Sequence, residues 1–257
     1  MTLKEELRFI DLTARMALRA DASTLVLGYV WWVLEPILYV AVFYLVFAVI
    51  LDSPRADFLS FLIIGKLPFQ WFSGGLNSCA MSISGAQALI GNTSIPKSLL
   101  VFSKLQQVTY KQVAVFALMA IYLVTQGSQL SLSWLWVLLV ALAQYFFTAT
   151  FAILGAVAVC YARDFARLIQ MFTIFMMFTS GIFWDVRVLG PEMQALIFAF
   201  NPLAFLLDSY RQVLLYNGAI DVARLMLLIG AFSGLCAILM IFVRRNETRI
   251  ALRVLSR

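Results

Sequence analysis

The residues with the most obvious chemical potential lie between Ala88 and Lys104. Within this stretch, Gly91-Asn-Thr-Ser-Ile-Pro-Lys97-Ser98 misses the phosphate-loop pattern G-x-x-x-x-G-K-S at one position, and it carries Lys97 and Lys104 with no acid. A working loop curls successive backbone N–H groups around phosphate oxygens at the end of a strand. Pro96 stands where the second glycine should be; it has no N–H and cannot take a positive φ. A hydrophobic block, not a strand, precedes Gly91. These features argue against nucleotide binding by this chain. What remains is a short helix starting near Ser94, Ile95 and Pro96, with Lys97 charged and Leu99, Leu100, Val101 and Phe102 following. Apolar residues on an exposed turn call for a partner surface or the membrane face. Docking on another protein is the reading favoured over simple interfacial packing.

Other chemistries find little support. The 13 acids are scattered without an Asp-Asp pair, and histidine is absent, so neither metal–diphosphate transfer nor a nucleophile–base pair is in view. Cys79, Cys160 and Cys236 fall in apolar blocks without ligand spacing and read as small buried hydrophobes; no metal or disulfide is expected.

The elements that must position these residues are membrane helices. Of 257 residues, 63% are hydrophobic and only 12% charged, with a mean hydropathy of +0.94. That composition expects an all-α integral membrane protein, with length for about six spans of roughly 20 residues. Residues 1–24 read as an amphipathic interface helix and not as a cleavable leader: Leu3, Leu7, Ile10, Ala14 and Ala17 share one side, and Lys4, Arg8, Asp11, Arg15 and Arg19 the other. Leu27–Leu51 is the first span, with Trp31 and Trp32 near its entrance and Glu35 inside it. Phe58–Ile90 is too long for one span, and Pro68 permits a kink or break. Val108–Thr125, Trp134–Cys160 and Leu168–Trp184 are the next three. Between residues 185 and 221, Pro191-Glu192 and Asn201-Pro202 look like two helix starts. Two short re-entrant helices fit there, with Asp208 and Arg211 spaced to pair on one face. Val222–Val243 is the sixth span and residues 244–257 form a basic tail. Segments 1–25, 91–112, 161–168 and 244–257 hold 14 of the 19 Lys and Arg, against Arg55, Lys66, Arg187, Arg211 and Arg224 opposite. The positive-inside rule therefore puts both termini and residues 91–104 in the cytoplasm.

With the parts in this order, the chain resembles the membrane permeases of type-2 ABC transporters, those exporting polysaccharides such as O-antigen and capsule. The residues carrying the resemblance are Leu27-Gly28-Tyr29-Val-Trp31-Trp32-Val-Leu34-Glu35-Pro36, Gly65-Lys-Leu-Pro68-Phe-Gln-Trp71-Phe72, Arg163-Asp164, and Asn201-Pro202 with Arg211. The resemblance covers nearly the whole chain and implies a homodimer in the bacterial inner membrane, bound to two copies of a separate ATPase subunit. ATP and Mg²⁺ would sit on that partner, with no cofactor on this chain. Residues 91–104 would be the coupling helix and the helices before the last span an external gate. A polysaccharide, such as a lipid-linked glycan, would leave through a channel at the dimer interface, with no nucleic acid involved. Sugar rings stack on aromatics and their hydroxyls need polar partners, so Trp31, Tyr39, Phe43, Trp71 and Phe72, with Glu35 and Asn77, are the candidate channel lining. Teichoic acid, drug or lipid export by the same kind of permease, and a membrane-embedded transferase, are the alternatives.

Overall fold

The computed structural model describes residues 2–24, 26–50, 57–92, 95–128 and 131–256, and every regular element among them is helical. In chain order the helices are α1 (Leu3–Thr24), α2 (Trp31–Tyr44), α3 (Phe58–Ala80), α4 (Gln87–Asn92), α5 (Lys97–Thr125), α6 (Trp136–Tyr161), α7 (Phe165–Thr179), α8 (Pro191–Phe200), α9 (Pro202–Leu214), α10 (Val222–Arg245) and α11 (Glu247–Leu255). Gly28, at φ +47°, turns the chain from α1 toward α2; a Cβ there would meet the Ala22 carbonyl oxygen at 3.1 Å. A π-type turn, Leu45–Ile50, continues α2. Between the first two expected blocks the sequence calls for a short external turn from Asp52 to Asp57, of which only Asp57 lies among the described residues.

Among the described residues, four stretches are long and apolar enough to cross a bilayer: Gly28–Phe47, Lys97–Thr125, Leu132–Tyr161 and Val222–Arg245. The chain is therefore a multi-pass membrane protein. The apolar α7 has 15 residues, about 22 Å at 1.5 Å per residue. The stretch expected to cross at 168–184 thus starts earlier, at Phe165, and stops at Thr179.

The bundle is built around α3. Most of its residues are buried, whereas α2 buries only Pro36 and Val40. The possible break at Pro68 does not occur: α3 continues to Ala80, and the long apolar block ends in the turn after Met81. Three neighbouring helices donate into α3's carbonyls at the proline and before it. Gln112 Nε2 of α5 reaches Leu67 O at 3.1 Å, Gln144 Nε2 of α6 reaches Pro68 O at 2.6 Å, and Arg211 of α9 reaches Phe61 O at 3.3 Å. These donors tie α3 to its neighbours in the turns around the proline.

Two apolar clusters hold the helices together. The larger joins α3, α5, α6 and α9 through residues such as Phe72, Met119, Phe147 and Tyr210. The smaller sits at the other end of the bundle and joins Ile83, Ile90, Leu100 and Val101 to Ile250 and Val254 of the tail helix. Cys79, Cys160 and Cys236 are buried, as expected of small hydrophobes. The interface helix α1 is tied down by polar contacts. Asp21 accepts from Gln107 Nε2 and Lys111 Nζ, both at 2.7 Å, and Glu6 accepts from Arg244 at 2.6 Å. Its docked stripe is Glu6, Ala14, Leu18 and Ala22, while Leu3 and Leu7 of the expected apolar side are exposed.

Candidate functional site

A polar cleft of about 470 Å³ opens between α2, α3, α5 and α7. Its deepest wall is one face of α3, where Lys66, Gln70, Ser73 and Asn77 recur at intervals of four, three and four residues. Opposite stand Trp32, Glu35 and Tyr39 of α2, with Lys111 and Gln112 of α5 below and Thr173 and Met177 of α7 to one side. Asn77 is held by its Nδ2, which donates to Ser73 O at 2.8 Å and to Thr173 Oγ1 at 3.3 Å. Lys111 is engaged by Asp21 and lies 5.6 Å from the Trp32 ring.

Lys66 sits differently. It is only 6% exposed. Its Nζ is 3.7 Å from Met177 Sδ and lies 5.1, 5.4 and 5.4 Å from the Tyr39, Phe43 and Phe69 rings. Ring faces attract an ammonium through their quadrupoles and the thioether sulfur is a weak acceptor, so neither supplies an oxygen. A second cleft of about 390 Å³ lies against another side of α2, lined by Pro36, Val40, Ile63, Met119 and Tyr122, and is almost wholly apolar.

Glu35, Tyr39 and Asn77, expected to line a channel, meet in the polar cleft, and Phe43 touches it through Lys66. Trp31 is half-buried and is not one of its walls; Trp32 is. Trp71 and Phe72 are a correction. Trp71 is buried with its Nε1 on Thr109 Oγ1 at 3.3 Å and its ring against Phe116 and Tyr145, and Phe72 packs on Phe147 and Phe151. Both lie on the α3 faces turned to α5 and α6, away from the Lys66 stripe. That stripe escaped the sequence reading because Lys66 was assigned to an external segment; the spacing 66, 70, 73, 77 was the available signal.

At the opposite end of α3 the expected docking segment is arranged otherwise than foreseen. No separate short helix begins at Pro96: Pro96 precedes a continuous α5, and Lys97, Ser98, Leu99 and Leu100 are buried within the chain. Ile95, Pro96 and Phe102 are half-buried, and Ser94 lies outside the described residues. Both leucines are thus enclosed within the chain, and Leu100 shares the smaller apolar cluster with Cys236, Ile250 and Val254 of α10 and α11. The exposed short helix is α4, one element earlier, with Leu89 40% exposed. α11 braces it: Gln87 Nε2 donates to Val254 O at 2.6 Å, and Glu247 Oε1 accepts from Lys97 N at 3.3 Å. A carboxylate at a helix N-terminus is favourable through the helix dipole. Lys4, Arg8, Arg15 and Arg19 of α1 are exposed, as an interface helix requires. Asp11 accepts from Tyr110 and from Arg15, which hold its carboxyl below the usual range.

The region before the last span contains the two foreseen helices. Asn201 Oδ1 accepts from Ala204 N at 3.2 Å, capping α9, while its Nδ2 donates to Ser180 Oγ at 3.0 Å; Pro202 is the first helical residue. Asp208 and Arg211 do not pair. Asp208 takes two bonds of 2.9 Å from Arg187, and that contact raises the arginine's pKa further. Arg211 lies 3.4 Å from the Phe61 ring centre and donates to Gly181 O at 2.7 Å and Ile182 O at 3.0 Å. Because α9 is buried along its length, each side chain meets the neighbour its own azimuth dictates.

No family model matches the chain. Against curated proteins, it is 28% identical over 206 residues to the O-antigen export system permease protein RfbA of Klebsiella pneumoniae, covering 79% of this chain and 78% of the relative. The same-named protein of Myxococcus xanthus is 27% identical over 225 residues, 86% of each chain. The chain resembles O-antigen export permeases. The similarity spans about four-fifths or more of each chain, well beyond an isolated motif.

Proposed function

We propose that this chain is the permease subunit of an ATP-driven ABC exporter for O-antigen or a closely related polysaccharide. The observation that carries the reading is the similarity to O-antigen export permeases over about four-fifths of both chains. The polar cleft supports it, since aromatic faces, amides and hydroxyls are the groups a glycan requires. In the finer reading, α2, α3, α5, α6, α7 and α10 are the six spans and both termini are cytoplasmic. α8 and α9 re-enter from the external side of the bacterial inner membrane as a gate. Two copies join so that their polar clefts flank one path for a glycan carried on a lipid. The exposed apolar surface of α2 and α7 is available to that second copy.

The chain is a transporter subunit whose energy comes from a separate ATPase, which holds ATP and Mg²⁺ in two copies per dimer. Its closure on ATP biases the two membrane arrangements, a shift limited by the difference in its affinity for them. The docking face is assigned to α4, with α11 and the start of α5 behind it, because α4 exposes Leu89 while Leu99 and Leu100 are enclosed. The test is complementation: a strain lacking its O-antigen permease receives this chain together with candidate ATPases. Surface glycan restored by one pairing is the expected result. Stable, membrane-inserted protein that restores none with any ATPase overturns the reading.

A further inference from the structure

The geometry points to a binding subsite for a neutral sugar residue at Lys66 and Gln70, in which a pair of adjacent ring hydroxyls bridges the two side chains. The inference rests on the export reading above and goes beyond it by naming recognition groups and a preference for uncharged over acidic sugars.

Three observations carry it. Lys66 is 6% exposed and faces the cleft, and its ammonium is met by Met177 sulfur and three rings, so its N–H donors find no oxygen acceptor among the described residues. Such donors are strong, and a buried one gains from any oxygen brought to it. Gln70 lies one helical turn away on the same face, and its Oε1 is a buried acceptor without a donor. The wall of the cleft therefore carries an unused donor and, one turn away, an unused buried acceptor that rotation of the Gln70 side chain would open to a ligand. Glu35 adds a carboxylate, with the Trp32 and Tyr39 rings on the same wall.

The choice of ligand follows from that inventory. A phosphate or uronate would satisfy Lys66 but would set its oxygens against Gln70 Oε1 and the Glu35 carboxylate. Lys111 does not offset this, because Asp21 already engages it at 2.7 Å. A hydroxyl both accepts and donates. One hydroxyl of a vicinal pair accepts from Lys66 while its neighbour donates to Gln70, and the ring's C–H face lies on an aromatic. Neither step changes the charge of the cleft.

The full-length protein in lipid nanodiscs is titrated calorimetrically with maltoheptaose, a neutral oligosaccharide, with a galacturonate heptamer and with inorganic phosphate. The neutral probe is expected to bind more tightly than the acidic one. Lys66→Met, which keeps the volume while removing a buried charge, weakens it roughly tenfold or more, and Gln70→Leu roughly threefold to tenfold. Tighter binding of galacturonate, or displacement of maltoheptaose by phosphate, overturns the proposal in favour of an anion site. Binding unchanged in both variants, or none to the wild type at millimolar concentration, removes the subsite. Export is measured with the same variants alongside the partner ATPase. Loss of binding with no effect on surface glycan also overturns the subsite as part of the path. A wild-type chain that binds maltoheptaose yet exports no glycan counts against the export reading and not against the subsite.

Discussion

Gly65 is the position where one methyl group tests the architecture most directly. A Cβ built there would stand 2.3 Å from Arg211 Nη2 and 3.2 Å from its Cζ. The guanidinium can move, but only by giving up bonds to Gly181, Ile182 and Phe61 carbonyls inside the bundle. Losing two or three charge-assisted bonds, at about 1–3 kcal/mol each, outweighs the roughly 1 kcal/mol that alanine gains over glycine in a helix. Gly65→Ala is therefore expected to cost about 2–5 kcal/mol. The assay is the thermal midpoint of the purified full-length protein in detergent, which should fall on the order of 10 °C. Gly230→Ala is the control, since a Cβ there meets nothing within 4 Å. The decisive arm is the double variant: with Arg211→Met the clash partner is gone, so adding Gly65→Ala should cost little more. Additive losses in the double variant, or a Gly65→Ala protein as stable as Gly230→Ala, would refute the interlock.

Trp71→Ala should lower stability by about 3–5 kcal/mol and deplete membrane-inserted protein, because it empties a packed site. Tyr39→Ala should leave protein levels unchanged and reduce surface glycan; the reverse pattern would return Trp71 to the channel. Leu89→Asp on exposed α4 is expected to reduce co-purification of the ATPase at normal permease yield, whereas Leu99→Asp should reduce the yield itself. Equal yields with ATPase loss only in Leu99→Asp would restore the segment after Pro96 as the docking surface. The contact of Asp11 with Tyr110 and Arg15 stabilises α1 docking above the ordinary carboxylate pKa, and the contribution is lost only as pH falls through the depressed folded value. Hydrogen exchange in residues 3–24 should thus stay slow as pH drops to about 4 and rise below it, a step that Asp11→Asn abolishes.

Local chemistry decided a good deal of this protein in advance. Composition alone establishes membrane-spanning helices, because apolar surface on this scale has nowhere else to go. Pro191 and Asn201-Pro202 mark real helix starts, since capping and proline geometry act within one turn. The polar periodicity of α3 was also present in the residues, although the sequence reading did not use it.

What needed the tertiary structure was azimuth and partnership. Asp208 and Arg211 have the spacing of an ion pair, yet each turns to a residue brought in by another segment, Arg187 or the carbonyls after α7. Trp71 and Lys66 lie on one helix, and only the placement of α5 and α6 makes the first a core residue while the second opens on a cleft. Leu100 is apolar enough to suggest docking until Ile250 and Val254, some 150 residues later, join it in one apolar cluster. Periodicity and caps are set by neighbours within a turn or two. Which face of a helix is buried, and against what, depends on packing between segments remote in the chain.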